Sequence, residues 1–291
     1  TDSPETVAAG SAAAQATGRR FTLSAGPAEV LTDERSLLYL APLARMFAAS
    51  GGQMPALLEA YRTGGGVSWQ QFGVEARESQ ADLNRPWFDQ LPAAFADIED
   101  LHRVLSRAGA RIADVGAGAG WSAIALAQAY PHLRVDGYDT DDPSVELARR
   151  NAATAGVEDR VRFHAADGGG LAVDGPFDAV FAYECLHDMP RPVEVLTAMR
   201  AAVADGGPVV IMDEAVDGAF ASPGNDIEKI MYGFSLFVCL PDGLSHRPSE
   251  ATGTVMRLPI LRAYAQAAGF TDVTTLPITD FGFWRFYRLT G

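Results

Sequence analysis

The stretch Ile112-Ala113-Asp114-Val115-Gly116-Ala117-Gly118-Ala119-Gly120-Trp121 decides how this sequence folds. A short apolar run holding one acid, then three alternating glycines, then a breaker-free apolar run reads as a buried strand, a tight turn and a helix. That helix, Trp121 to Tyr130, is apolar nearly all round and stops at Pro131. The same rhythm repeats outward from it. Leu133–Asp139 reads as a second strand, followed by a helix with Asp142 as N-cap, Pro143 at its first position and Gly156 at its end. Val161–Ala166, Phe177–Tyr183 and Pro208–Met212 read as further strands, and Pro192–Ala204, Asn225–Cys239 and Leu258–Ala268 as helices. Val273–Ile278 and Phe283–Leu289 can close the chain as a hairpin. Alternating units of this length build an α/β fold, a mostly parallel sheet of seven strands with helices on both faces. Ligands bind such sheets beyond the carboxyl ends of the strands.

Before Ala110 the rhythm is different. Residues 1–18 are mostly Ala, Gly, Ser and Thr, too little apolar surface to pack, and read as a loose arm; Arg19–Ser24 reads as a short strand. From Pro27 to about Asp100 the pattern is helical, with Leu37, Leu38, Leu40, Leu43, Met46 and Phe47 on one apolar face and Met54, Leu57, Leu58 and Tyr61 on another. The expected division is therefore a mainly helical region, 1–104, and an α/β domain, 105–291. A chain of 291 residues can bury a core of that size without staples.

Charge removes several functions. With 37 acidic and 23 basic side chains the net charge is -14, and no window offers the Lys and Arg excess that phosphate-backbone binding needs. No nucleic-acid partner is expected. No run reaches the ~18 apolar residues of a membrane span, and the first twenty residues do not read as a signal peptide. Cys185 and Cys239 have neither CxxC nor metal-type spacing, so the expectation is free thiols in a reducing cytoplasm and no metal site.

Chemistry is expected after each strand. The dinucleotide fingerprint needs glycine at its first, third and sixth positions, and here Trp121 occupies the sixth. Asp114, just ahead of Gly116, Gly118 and Gly120, places a carboxylate where a phosphate would be repelled and a cationic or zwitterionic ligand tolerated. Asp139, 19 residues past Gly120 and followed by Thr140, can accept hydrogen bonds from two ribose hydroxyls. Asp167 with Gly168 can meet a purine amine. The fourth strand ends in Tyr183-Glu184-Cys185-Leu186-His187-Asp188, a dense run of ionisable groups.

IADVGAGAG, VDGYD, HAAD and FDAVFAYECLHDM, in this order, resemble the class I S-adenosylmethionine-dependent methyltransferases, over about residues 105–291. Within that class ECLHDMPRP, MYGFSLFVCLPDG, ATGTVMR and FWRFYRL look like a bacterial group in which a winged-helix-like domain precedes the catalytic one, and GRRFTLSAGPAEVL looks like the end of such a module, most of which this chain would lack. The resemblance implies a Rossmann-like sheet and S-adenosyl-L-methionine as cofactor. It assigns Asp114, Gly116, Gly118 and Gly120 to the methionine moiety, Asp139 and Thr140 to the ribose, Asp167 and Gly168 to the adenine, and Glu184 to the methionine end. It also implies a homodimer formed through the N-terminal region.

Methyl transfer is an in-line displacement whose rate comes chiefly from alignment in a dry pocket. An acidic acceptor also needs a base, for which His187 is the first candidate and His246, in a Pro- and Gly-rich loop, the second. Trp69, Met231, Tyr232 and Phe234 are candidate contacts to a small organic acceptor attacking through O, N or C. A noncatalytic S-adenosylmethionine-binding regulator or scaffold is the alternative, and a dehydrogenase is a distant third.

Overall fold

The computed structural model describes residues 21–291. The predicted arm, and Arg19 and Arg20 of the predicted first strand, lie outside them. Phe21–Ser24 is not a strand: it is irregular backbone leading into a helix.

Six helices open the described chain: α1 (Ala25–Thr32), α2 (Ala41–Gly52), α3 (Met54–Thr63), α4 (Trp69–Phe88), α5 (Leu91–Ala96) and α6 (Glu99–Ser106). The α/β part follows with β1 (Arg111–Val115), α7 (Trp121–Ala129), β2 (Arg134–Asp139), α8 (Asp142–Ala155), β3 (Val161–Ala165), β4 (Ala179–Tyr183), α9 (Pro192–Ala202) and β5 (Val209–Glu214). It ends with α10 (Asp226–Phe234), α11 (Leu240–Ser245), α12 (Leu258–Ala267), β6 (Asp272–Thr275) and β7 (Trp284–Thr290). The helix expected over Asn225–Cys239 is α10 followed by a π turn, Ser235–Cys239, which runs on into α11.

The sheet has seven strands in the order β3-β2-β1-β4-β5-β7-β6. Strands β1 to β5 are parallel, and β7 lies antiparallel between β5 and β6. The order reverses between β1 and β4, so a cleft opens at their carboxyl ends. All residues of β4 and β5 are buried, as expected of central strands covered on both faces. Strand β7 divides its aromatics: Trp284 and Phe286 enter one core layer and Tyr287 the other.

Helices α5 and α6 share the core of the sheet. Phe88, Leu91, Phe95, Leu101 and Leu105 pack in one cluster with Ile112, Phe181 and Phe286, and Phe95 stacks on Phe181 at 5.7 Å. Helices α2 to α4 instead have a small core of their own, Met46, Leu57, Val67, Phe72 and Ala76, closed by Val238. Of the two apolar faces expected there only Met46 and Leu57 are fully buried; Leu38, Leu40, Phe47, Leu58 and Tyr61 are exposed. Residues 37–40 form a turn and extended backbone rather than helix, so the periodicity across them carries no single face. Among the described residues no helix is long and apolar enough to cross a membrane.

Candidate active site

The glycine loop is held from below. Gly116 and Ala117 donate backbone N–H bonds to the Tyr138 carbonyl oxygen, and Gly118 N donates to Asp139 Oδ2 at 2.8 Å. Asp139 Oδ1 accepts from Asp141 N at 2.9 Å. The acid at the end of β2 thus fixes the loop at the end of β1. Gly118, at φ +50°, faces open space where a Cβ would stand, whereas a Cβ on Gly120, at φ +80°, would lie 2.4 Å from the Phe163 ring. One glycine therefore opens the loop towards a ligand, and the other lets α7 approach β3. Asp114 lies beneath the loop, fully buried, and accepts from Ser122 Oγ at 2.5 Å; its second oxygen has no partner. Burial, against the Ser122 hydrogen bond and reinforced by Asp139, pushes its carboxyl up to about 7.

The N-cap of α8 is Asp141, not Asp142. Its carboxylate accepts from Ser144 N and Oγ and receives Arg77 of α4 at 2.6 and 3.2 Å. Seven residues along α4, on the same face, Asn84 Nδ2 donates to Glu184 Oε2 at 2.7 Å. Helix α4 is thereby latched over the cleft at its middle and near its C-terminal end. Glu184 begins the turn after β4 in a left-handed conformation, φ 52°, a conformation that a non-glycine residue keeps only where its surroundings hold it. Burial raises its carboxyl to about 7, with His187 opposing and Asp213 and Asp188 adding to the rise.

Beyond Glu184 lies His187, 3% exposed. Its Nδ1 stands 3.0 and 3.1 Å from the two oxygens of Asp213 and 3.4 Å from Glu214 Oε2, and its Nε2 stands 3.2 Å from Asp188 Oδ1. Burial alone would discharge the imidazole; Asp188, Glu214 and Asp213 together outweigh it and hold the ring's pKa well above its usual value. Asp213 falls below the usual carboxylate range because the His187 charge and the hydrogen bonds from Glu214 and His187 together outweigh its burial, while burial lifts Glu214 well above that range.

These groups line one cavity of about 630 Å³. Gly116, Gly118, Asp139, Thr140, Asp167, Gly168 and Glu184 reach it, as do His187, His246, Trp69, Met231 and Phe234. Asp114 and Gly120 act from beneath the loop. Tyr232 lies elsewhere: it is 37% exposed, with its ring near Phe220 and its hydroxyl accepting from Arg257. It sits next to Met231, so on a helix it faces a different side. Asp167 holds Gly169 N and Arg191. Both thiols, Cys185 and Cys239, are in the cavity wall and are free. The residues fit S-adenosylmethionine: the Gly118 face is open, and the buried Asn84 Oδ1 and Tyr183 hydroxyl have no partners in the protein.

Sequence reasoning missed Asp213 and Glu214 because it ended β5 at Met212, two residues early. The rule that chemistry follows each strand, applied one strand further, finds them. Asp188 stood in the quoted run without a role, and Arg77, Asn84 and Asp242 carry no local signal, since only tertiary packing brings α4 and α11 to the cleft.

Residues 112–207 match the family described as a methyltransferase domain. Similar curated proteins include 27-O-demethylrifamycin SV methyltransferase of Amycolatopsis mediterranei (strain S699), 35% identical over 125 residues, which are 43% of this chain and 46% of that protein. Methyltransferase GfsG of Streptomyces halstedii is 35% identical over 112 residues, 38% of this chain and 40% of the other. The matched region thus spans under half the length of these relatives. Among solved structures, mitomycin 7-O-methyltransferase aligns with TM-score 0.67 at 20% identity, covering 92% of this chain and 75% of that one. The O-methyltransferase of neocarzinostatin biosynthesis, solved with S-adenosylmethionine and 2-hydroxy-5-methyl naphthoic acid, aligns with TM-score 0.55 at 19% identity, covering 92% and 74%. Residues 112–207, a third of the chain, thus match the methyltransferase-domain family, and the sheet built on them shares its fold with these solved O-methyltransferases.

Proposed function

We infer that this protein transfers a methyl group from S-adenosylmethionine to the hydroxyl of a small organic acceptor. The observation that carries the reading is that one cavity joins the Asp139-anchored glycine loop to the buried His187–Asp213 pair. A regulator that only binds the cofactor has no need of the second feature. The relatives named above act on, or were solved with, small organic molecules, which supports the same acceptor class.

The cofactor, when bound, supplies an electrophilic methyl group on a sulfonium. The protein's part is placement and proton removal. Asp139 accepts hydrogen bonds from the ribose hydroxyls while keeping Gly118 in place, and Asp167 and Gly168 meet the adenine. Glu184 and Asn84 face the methionine ammonium, and Asp114 holds the start of α7 beneath the loop through Ser122. His187 uses Nδ1 to hold Asp213, so Nε2 is the atom that takes the acceptor's proton once it has lost its own. Trp69, Met231 and Phe234 exclude water from the acceptor's face. His246 lines the cavity farther along the chain, in the loop after α11, and serves as a rim contact.

The helical region is read as the contact between two copies, supported by exposed Leu38, Leu40 and Leu58 on one part of the chain; light scattering of the eluted protein tests it. The free thiols suit a reducing cytoplasm. For the activity itself, calorimetric titration with S-adenosylmethionine and S-adenosylhomocysteine comes first, and absence of binding by both would end this reading. Turnover with a set of small phenols, abolished in Asp139→Ala, then separates an enzyme from a binding protein.

A further inference from the structure

Next to the cavity lies a second, open groove of about 340 Å³, and Met46, Phe234 and Val238 stand in the walls of both. Resting on the methyl-transfer reading above, we propose that this groove is a subsite for an uncharged, apolar arm of the acceptor. The acceptor then spans the partition, with its hydroxyl-bearing end beside His187 and its arm between α2 and α10. No ionisable side chain lines the groove, and Phe47, Ile230 and Phe237 on its rim are 61%, 52% and 43% exposed. Single exposed apolar residues need no explanation, but these gather around one concavity, the form that binding sites for small molecules take.

Ser50 points to a ligand independently. It is the one polar side chain in the groove wall, it is 3% exposed, and its hydroxyl has no partner in the protein. A helical serine can return its hydroxyl to the carbonyl four residues back; Ser50 does not. Buried hydroxyls are normally satisfied, so the arm brings an oxygen to this point. The partition suits passage. Met46 is unbranched and adapts its shape, and half-buried Phe234 rests its ring on that of exposed Phe47 at 6.0 Å. Val238 belongs to the π turn, a geometry that recurs where helices serve functional sites. The cavity of about 630 Å³ has to hold cofactor and acceptor together, whereas a pocket for one ligand commonly measures about 300–1,000 Å³. Little of it remains beyond the reacting ring, and the groove is the adjoining apolar space.

The probes are 4-alkylphenols from 4-ethylphenol to 4-octylphenol, titrated calorimetrically into the full chain with and without saturating S-adenosylhomocysteine. Affinity should rise about threefold per added methylene once the chain passes Met46 and Phe234. Gly51 and Gly233 line the groove but not the cavity, and a Cβ on either meets nothing within 4 Å. Gly51→Leu and Gly233→Leu should each fill the groove, weakening 4-octylphenol about tenfold or more and leaving 4-ethylphenol within about twofold. If one variant fails to fold, the other decides. An ether oxygen moved stepwise along the octyl arm should have one best position, and Ser50→Ala should abolish that preference. A flat series overturns the proposal, as does a slope kept in the leucine variants or an equal loss for short and long phenols. No preferred ether position, or one kept in Ser50→Ala, overturns the role of Ser50. Conversion of a dimer to a monomer by the leucine variants, with the slope unchanged, would assign the groove to a second copy and overturn the subsite too. The S-adenosylhomocysteine titration is read separately: its failure with the slope intact would sink the methyltransferase reading and leave the subsite standing, and binding with a flat series would do the reverse.

Discussion

His187 is where the chemistry of single residues is most sharply set. Three carboxyl groups surround a buried imidazole and hold its proton, so the ring can act as a base only after losing that proton. The rate should therefore climb with pH through a value above the usual imidazole range of about 6.5. Removing one of the anions responsible, in Asp213→Asn, should move that rising limb to lower pH and lower the plateau about 10²-fold or more, because a weaker, less oriented base remains. An unmoved limb would show that another group titrates. Asp114 allows a second prediction, on stability. Its folded-state pKa of about 7 stands above the ordinary aspartate value of about 3.9, so as pH rises from about 4 to about 7 the unfolded chain gives up a proton that the folded one keeps. Stability falls across that window and stays reduced above it, by about 4 kcal/mol at about 1.36 kcal/mol per pKa unit. Asp114→Asn keeps an acceptor for Ser122 and removes the charge. In urea unfolding it should gain on the parent by a few kcal/mol at about pH 8 relative to about pH 4; an equal difference at both pH values would refute the assignment. Both residues could be picked from the sequence by their places after strands. The signs of their pKa shifts could not, since those depend on burial and on Asp213 and Glu214 in another strand.

At the scale of elements, the turn between β1 and α7 and helix α4 carry the site. The two glycines of the turn should separate binding from folding. Gly120→Ala places a methyl against Phe163 at a left-handed backbone position and should cost about 2–4 kcal/mol of stability from strain and overpacking. Gly118→Ala meets open space, so it should cost only about 1–2 kcal/mol of stability while its methyl, set in the cavity, weakens S-adenosylmethionine binding. Denaturant melts and titrations of the two variants, side by side, check this; equal effects on both readouts would mean that the turn does not divide its roles. Helix α4 is held by Arg77 on Asp141, with both side chains largely buried. Breaking one partner of such a pair costs about 3–5 kcal/mol, and Arg77→Ala should show it as faster amide exchange across 69–88, with the sheet unaffected. The glycine turn is legible locally because backbone conformation demands those residues. The latch is not, because Arg77 and Asp141 are 64 residues apart and each alone resembles a surface charge.

Over the whole molecule the helical lead-in and the sheet share more than a linker. Leu91, Phe95 and Leu101 are fully buried against the sheet, and burial of ~2 kcal/mol each makes about 6 kcal/mol, comparable to the entire stability of an ordinary domain. A chain cut to residues 105–291 should consequently be insoluble or molten, whereas residues 21–291 should unfold with one calorimetric transition over β1 to β7; a stable, cooperative 105–291 fragment would contradict this. The -14 charge also finds its place at this scale, since Asp139, Glu184, Asp188, Glu214 and Asp242 concentrate several acids around one cavity. The sequence by itself determined the alternation of strands and helices, the glycine turn, and the acids at the strand ends, because period, backbone freedom and charge act over a few neighbouring residues. The tertiary structure alone decided which of these share a cavity, that α4 closes it, that β5 runs on to Asp213 and Glu214, and that Tyr232 points away. Those outcomes depend on packing between residues far apart in the chain, where burial and opposed charges, rather than local pattern, set the energy.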